Sequence, residues 1–415
     1  MKKNNIIVAL DIGTSKTVAL VGDVDNYGEV TIVGYGESPT EGMDRGLITK
    51  PNEVIRSIKR AVEGAETTSG ARISSAIINV GGPHLSSLNE ADFLTFGTNQ
   101  KEIDNADIAI LTQKIYERLS KDDQKIIHVI PKRFILDDED VILDPTGFIG
   151  SKLEGEFHIV LNKVNALSNL KRVVEASGIK VIDFVANPVA SATSVLYPEE
   201  KDMGVLVLDI GGGTTDVAVL KDGSFEYTKS IPIGGQRITL DIAHRFKIPK
   251  AEAEKLKIEH GLAITEAISN DEYIDIYPIG SDEPITISKK DLVETIELRL
   301  EEILRIVQED LEEHSPELYN KINGGVVLTG GVANTPYIKE LAEYVFDQDV
   351  RIGKPKDYKG FSDKINAPEY ATSIGIIQFK KNLAINREPL QVSEESSSDV
   401  LKPLKEFFSK LKKIF

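Results

Sequence analysis

Short apolar runs broken by glycine- and aspartate-rich turns recur in both halves of the chain. Residues 6–35 alternate apolar stretches with Gly and Asp-Asn turns, the pattern of an antiparallel meander. The spacing then becomes helical over 52–64, where Val54, Ile55, Ile58, Ala61 and Val62 share a face and Gly64 is the expected stop. A buried strand at 76–80 ends on Gly81-Gly82-Pro83. Residues 85–161 read as a separate module, with a helix near 105–120 and strands at 126–136 and 156–162. A helix over 165–177 capped by Gly178, a strand from Lys180 to Val185 and a long helical stretch from Asn187-Pro188 follow. Further on, 249–260 is a polar helix and 291–313 a long amphipathic one, with Leu292, Ile296, Leu300, Ile303, Leu304 and Val307 on one face. A helix at 369–383 closes the folded body.

Two strand ends carry the same acidic turn. Ile6 to Leu10 leads into Asp11-Ile12-Gly13-Thr14-Ser15-Lys16, and Val205 to Leu208 into Asp209-Ile210-Gly211-Gly212-Gly213-Thr214-Thr215-Asp216. Glycine lets backbone amides approach a ligand and form an anion-binding concavity. An aspartate beside such a turn repels phosphate but can hold Mg2+, which bridges to phosphate. One such turn alone reads as an ordinary hairpin. Two copies predict related half-domains gripping one polyphosphate from opposite sides.

A third element is Val326-Val-Leu-Thr-Gly330-Gly331-Val-Ala-Asn334-Thr335-Pro336, a strand, a double-glycine turn and a helix start. Thr335 is the expected N-cap and Pro336 the first helical residue, a junction where an anion or ribose docks. A fourth piece, Gly234-Gly235, leads to Glu254 and Lys257, three apart on one helix face. That pair either reaches a nucleotide or is a solvated i,i+3 ion pair.

Composition narrows the classes. The 415 residues suffice for two or more cored domains, and 41% hydrophobic with 28% charged residues is the balance of a soluble globular protein. With no cysteine, disulfides and thiolate metal sites are excluded, and the six histidines lack ligand spacing. No run approaches the roughly 20 apolar residues of a membrane span. Asp11 interrupts the only stretch that resembles a signal peptide, so a cytoplasmic location is expected. A net charge of −17 argues against nucleic-acid binding.

That charge is uneven. Residues 401–415 hold five lysines against Glu406, a balance of +4, so the rest of the chain carries −21. Within 400–415 the apolar residues Leu401, Leu404, Phe408, Leu411 and Phe415 form one stripe, with Phe407 beside it and Lys405 and Lys412 among the flanking cations. Such a helix is marginal in water and folds on an anionic bilayer, where each lysine adds about 1 kcal/mol. Residues 384–399 have the composition of a disordered linker, spanning on the order of 20–25 Å, that separates tail from body.

The ordered set of turns resembles the actin-like ATPase superfamily, which includes actin, chaperones, sugar kinases and bacterial filament proteins. The resemblance implies an α/β, two-domain fold of ribonuclease H-like halves around a nucleotide cleft that takes ATP and Mg2+. By that likeness Asp11 and Asp209 hold the magnesium shell, and Gly13, Thr14, Ser15, Lys16 and Gly211, Gly212, Gly213, Thr214, Thr215 contact phosphates. Gly330, Gly331 and Asn334 lie by the adenosine, with Gly235, Glu254 and Lys257 alongside. Within the superfamily, Ile127-His128-Val-Ile-Pro131-Lys-Arg-Phe134, Asp144-Pro145-Thr-Gly147-Phe-Ile-Gly150 and Gly42-Met43-Asp44-Arg45-Gly46 are similar to the FtsA family of bacterial cell-division proteins. That likeness implies a first actin-like domain (1–84, 162–198, 363–383), an inserted subdomain (85–161), a second domain (199–362, with 236–290 its outer part) and a membrane-binding amphipathic helix. It further implies self-assembly, the tubulin-like protein FtsZ as partner, and a place on the cytoplasmic side of the cell membrane at the division site. Weak or no ATPase activity is expected, with no catalytic residue assigned. Two alternatives stand beside it: a sugar-type kinase, for which the strand end Asn79-Val80-Gly81-Gly82-Pro83-His84 supplies no base, and an adaptor of another membrane machine such as pilus assembly.

Overall fold

The computed structural model describes residues 5–97 and 100–385. The tail residues Leu401, Leu404, Lys405, Phe407, Phe408, Leu411, Lys412 and Phe415, and nearly all of the 384–399 linker, lie outside that range. In chain order the main elements begin with strands β1 (Asn5–Ile12), β2 (Lys16–Val24) and β3 (Val30–Pro39), helix α1 (Pro51–Ser69) and strand β4 (Ser75–Val80). The inserted block holds β5 (Ser86–Thr95), α2 (Asn105–Leu119), β6 (Gln124–Leu136), β7 (Asp140–Ile142) and β8 (Lys152–Lys163). Then come α3 (Val164–Ala176), β9 (Lys180–Ala186) and α4 (Asn187–Val195). The second half runs through β10 (Val205–Ile210), β11 (Thr215–Lys221), β12 (Ser224–Ile231), α5 (Gly235–Phe246), α6 (Lys250–His260) and α7 (Lys289–His314). It ends with β13 (Val326–Thr329), α8 (Ile338–Phe346) and β14 (Val350–Ile352), before α9 (Ala371–Ile385).

Each half is built on the same five-stranded sheet, ordered β3-β2-β1-β4-β9 in the first and β12-β11-β10-β13-β14 in the second. In both, the first three strands form an antiparallel meander, and the last two join parallel to the first. Both faces are covered, so the first strand of each half reads as a continuous apolar run. All six residues of β10 are buried. In the first half α1 packs on β2 and β3, and α9 on α4 and β1. In the second, α7 buries Leu292, Ile296, Leu300, Ile303, Leu304 and Val307 into a core shared with α5 and β10, the face expected from spacing.

Two expectations about helix ends are corrected. α1 continues past Gly64 to Gly70, whose left-handed backbone (φ 68°) returns its N–H to the Glu66 carbonyl. Gly64 is instead a packing glycine. A Cβ there would lie 3.0 Å from the Gly36 Cα on β3, and one on Gly36 would strike the Ala61 carbonyl. The stretch from Asn187 is a nine-residue helix, not a long one. Leu196 and Tyr197 are extended, and Pro198 disfavours helical geometry in Tyr197 immediately before it.

The inserted block is a four-stranded sheet, β7-β6-β8-β5, with α2 over it. Its core includes Leu111, Ile115, Phe134, Leu153, Phe157 and Ile159. The block belongs by sequence to the first half but is bonded to the edge strand of the second. Ser87 Oγ donates to the Thr228 carbonyl (2.8 Å) and accepts from the Thr228 N–H (2.9 Å), as a neighbouring strand would. Asn89 Nδ2 donates to the Glu226 carbonyl, and Lys132 pairs with the Glu226 carboxylate at 2.7 Å. At the centre lies His158, fully buried, with Nδ1 on Asn89 Oδ1 (2.8 Å) and Nε2 on Thr228 Oγ1 (3.0 Å). The Asn89 oxygen accepts a hydrogen bond from Nδ1–H, and in the neutral ring that burial favours, Nε2 accepts from the threonine hydroxyl. Burial, with Lys132 nearby, pushes its pKa down to about 3.

A depressed histidine pKa makes the folded state bind fewer protons than the unfolded one below the ordinary value of 6.5, so stability falls as pH falls toward about 3. Between pH 7 and pH 5 this residue is expected to cost about 2 kcal/mol. Urea unfolding across that range should therefore show a steeper loss for the wild type than for His158→Gln; parallel slopes would contradict the buried neutral ring.

Candidate functional site

The two acidic turns arise from the same local geometry. Each is the tight connection of an antiparallel hairpin, β1 to β2 and β10 to β11, closed by Gly13 N–H on the Lys16 carbonyl and by Gly211 N–H on the Thr214 carbonyl, both 2.9 Å. The sheets face one another so that the turns meet. A Cβ on Gly212 would fall 2.0 Å from the Ser15 hydroxyl, and one on Gly213 2.4 Å from the Thr14 hydroxyl. Only glycine permits that approach.

Around the meeting point lies a cleft of about 520 Å³. Its wall brings together Asp11, Gly13, Thr14, Ser15, Lys16, Asp209, Gly211, Gly212, Gly213 and Thr214, with Gly235, Glu254, Lys257, Gly330, Gly331 and Asn334 from the other predicted pieces. Thr215 is the exception. It starts β11, is fully buried, and its hydroxyl donates to the Ile233 carbonyl at 2.9 Å, away from the cleft. Glu254 and Lys257 form the expected i,i+3 ion pair, and they do so in the wall of the cleft. Lys257 Nζ lies 2.8 Å from Glu254 Oε2 and 3.0 Å from Thr239 Oγ1, and the pair lines the cleft. A third correction concerns Thr335. Gly331–Asn334 form a short 3-10 turn that Thr335 terminates, and α8 starts only after Tyr337, held at φ 66°. Pro336 thus sits between the two, not at the first helical position.

Several side chains that position the cleft residues were not singled out as site residues from the sequence. Ser373 and Thr372, on the first turn of α9, donate to Asp11 Oδ2 (2.6 Å) and Asp209 Oδ2 (2.8 Å). One helix start therefore positions both aspartates. Their only trace is the hydroxyl pair at the head of an otherwise apolar helix, Ala371-Thr-Ser-Ile374-Gly-Ile-Ile377. Glu37 on β3 faces Lys16 at 3.6 Å and accepts from the Tyr370 hydroxyl, while Lys16 Nζ lies 3.5 Å over the Tyr370 ring. Glu369 holds Asn334 at 2.8 Å. Asn187 Nδ2 donates to Asp216 Oδ2 at 3.0 Å.

The electrostatics are lopsided. Burial raises the pKa of Asp11, eased by Ser373 and Lys16. Burial, then the Asp216 charge, lifts Asp209 to about 7. Asp216 rises to about 6, chiefly through burial, although hydrogen bonds from Ser230, Asn187 and Thr214 oppose it. Its Oδ1 has no partner among the described residues. Two buried carboxylates, Asp209 and Asp216, beside the half-buried Asp11, with Lys16 the cation next to Asp11, make a site short of positive charge.

Paired five-stranded sheets of this order, facing one cleft across matched acidic turns, define an actin-like two-domain protein with an inserted subdomain. The fold is shared with the ADP-bound MreB5 of Spiroplasma citri (TM-score 0.55, 18% identity, 92% of this chain and 98% of that one). It is shared too with the PilM–PilN type IV pilus biogenesis complex (TM-score 0.58, 15% identity, 90% and 98%). Within that class the chain belongs to the FtsA family of cell-division proteins. The family model "Cell division protein FtsA" matches residues 206–375, and "SHS2 domain inserted in FTSA" matches 82–161. Cell division protein FtsA of Pseudomonas aeruginosa is 34% identical over 398 residues, 96% of this chain and 94% of that protein. The Escherichia coli K12 protein is 32% identical over 415 residues (99% and 98%), and that of Borreliella burgdorferi 36% over 377 (91% of each).

Gly330 offers a direct test of the cleft's packing. Its φ is +84°, and a Cβ would lie 2.4 Å from Asp209 Oδ1. Gly330→Ala should destabilise the protein by roughly 2 kcal/mol or more, read as a lowered urea midpoint; an unchanged midpoint would refute the contact.

Proposed function

We propose that the chain binds ATP with Mg2+ in the cleft, assembles with itself in actin fashion, and tethers FtsZ to the cytoplasmic face of the membrane at the division site. The observation that carries this reading is the convergence of the two acidic turns, one from each half, on a single cavity. Gly13 to Lys16 and Gly211 to Thr214 take the phosphates through backbone amides and hydroxyls. Gly330, Gly331 and Asn334 border the adenosine, and Gly235, Glu254 and Lys257 the ribose or base. Lys257, already paired with Glu254, is suited to positioning hydroxyls rather than to neutralising a free phosphate.

The residues present fit a magnesium ion. Asp11 and Asp209 each have one oxygen fixed by a hydroxyl of α9, and Asp216 holds an oxygen with no partner among the described residues. Magnesium keeps several waters and needs only one or two carboxylates together with phosphate oxygens. When bound it would neutralise the charge that otherwise drives these carboxyls toward protonation. The ADP-bound state of the MreB5 neighbour supports nucleotide in this cleft.

The cleft favours a nucleotide that is held over one that is rapidly turned over. At the end of β4, where a phosphotransferase would present a carboxylate base, stands Asn79. Its Oδ1 accepts from the Ile12 N–H (2.7 Å) and its Nδ2 donates to Asn187 (3.1 Å), so the amide is committed to structure. The proposed address is the cationic stripe of 400–415, since no helix of the described residues is long and apolar enough to cross a membrane. An acidic body is repelled by the same surface, residues 1–400 together carrying −21, and the 384–399 linker lets it stand off.

Two experiments test this. Gly212→Val, which drives a side chain into Ser15, should weaken ATP binding at least about tenfold, equivalent to about 1.4 kcal/mol, measured by equilibrium dialysis. Undiminished affinity would remove the second turn from the phosphate site. In co-sedimentation with anionic liposomes, the full-length chain should pellet and a chain truncated after residue 390 should not; equal pelleting would defeat the tether.

A further inference from the structure

Register in the first sheet brings an acid to a place where a polyphosphate site has no evident need of one. Lys16 pairs with Pro39 across β2 and β3, and Val18 with Glu37, so Lys16 and Glu37 are diagonal neighbours on one face. Tyr35, two residues before Glu37, shares that face, while Gly34 and Gly36 are pressed onto α1. The 3-10 turn Pro368–Tyr370, just ahead of Thr372 and Ser373, supplies Tyr370 from the other side.

One oxygen collects these groups. Glu37 Oε2 accepts from the Tyr35 hydroxyl at 3.0 Å and from the Tyr370 hydroxyl at 2.8 Å, and the Lys16 ammonium lies 3.6 Å away. The same ammonium sits 3.5 Å over the Tyr370 ring. At 3.6 Å Lys16 is held by charge and not by a hydrogen bond, so its N–H groups stay available to another acceptor.

Among the described residues, the cleft wall carries six carboxylates, Asp11, Glu37, Asp209, Asp216, Glu254 and Glu369, against the two cations Lys16 and Lys257. The three aspartates are grouped where a magnesium ion would lie. Glu254 is paired with Lys257, and Glu369 holds Asn334. Glu37 has neither task. Two phenols fix it against Lys16, the cation that adjoins the phosphate turns.

We propose that Glu37 is a specificity-determining residue that limits the response of the cleft to phosphate charge. This role rests on the reading that residues 13–16 and 211–214 hold the phosphates. Glu37 offsets the charge of Lys16, so less of that charge is left to attract the ligand. Coulomb attraction grows with the charge of the ligand, so ATP forgoes more of it than ADP does. The preference for ATP over ADP is thereby held down, and the nucleotide stays exchangeable.

Glu37→Gln is the test, since the amide matches the carboxylate in size and still accepts from both phenols. Equilibrium dialysis of adenosine, ADP and ATP uses full-length protein with Mg2+. The variant should gain affinity in step with phosphate number, at least about tenfold for ATP, with adenosine unchanged. In a Lys16→Met background the same substitution should raise ATP affinity no more than about threefold, because the charge it would free is gone. Equal changes for all three ligands would place Glu37 on the nucleoside and overturn the proposal. So would an unchanged or weakened ATP affinity, or a full gain without Lys16. Failure of the wild type to bind ATP would overturn the nucleotide reading, and this role with it.

Discussion

The repulsion among three clustered carboxylates, two buried and one half-buried, is the constraint on which the rest of the cleft depends. Asp11 comes from one half and Asp209 and Asp216 from the other, and burial raises the pKa of all three. Sheet geometry makes their meeting unavoidable, because each strand end carries its acid to the same crevice. The hydroxyls of Thr372 and Ser373 ease the cost by hydrogen bonding but supply no charge. Under the function proposed above, a magnesium ion shared between the halves and brought in with a polyphosphate would relieve that repulsion.

Closure is not free to take any form, because the inserted block already fastens the halves together. β5 and β8 are bonded to β12 through Ser87, Asn89 and His158, and Gly82 N–H donates to Ser230 across the same seam. A block attached by chain to the first half and by hydrogen bonds to the second ties the two together at that seam, and within the cleft Gly212 and Gly213 lie pressed against Ser15 and Thr14.

The fold was legible where periodicity and turn chemistry coincided. The matched Asp-Ile-Gly turns marked both first strands, and the face of α7 followed from spacing alone. Errors fell where a residue's role depends on tertiary contact. Gly64 reads as a helix stop until Gly36 is seen against it. Thr335 reads as an N-cap although the preceding turn is 3-10, which shifts the start of α8. Thr215 sits inside the acidic motif, yet strand alternation points it away from the cleft. Ser373, Thr372 and Glu37 lie far from the turns in sequence, and no local pattern distinguishes them from other polar residues. Side chains that position a ligand group from another element leave almost no trace in one chain.

The most direct test of the central claim is a crystal structure of the protein grown with ATP and Mg2+. The phosphates should lie between residues 13–16 and 211–214, touched from both halves, with the metal beside Asp11 and Asp209. A nucleotide held by one turn alone, or bound outside the cleft, would contradict it.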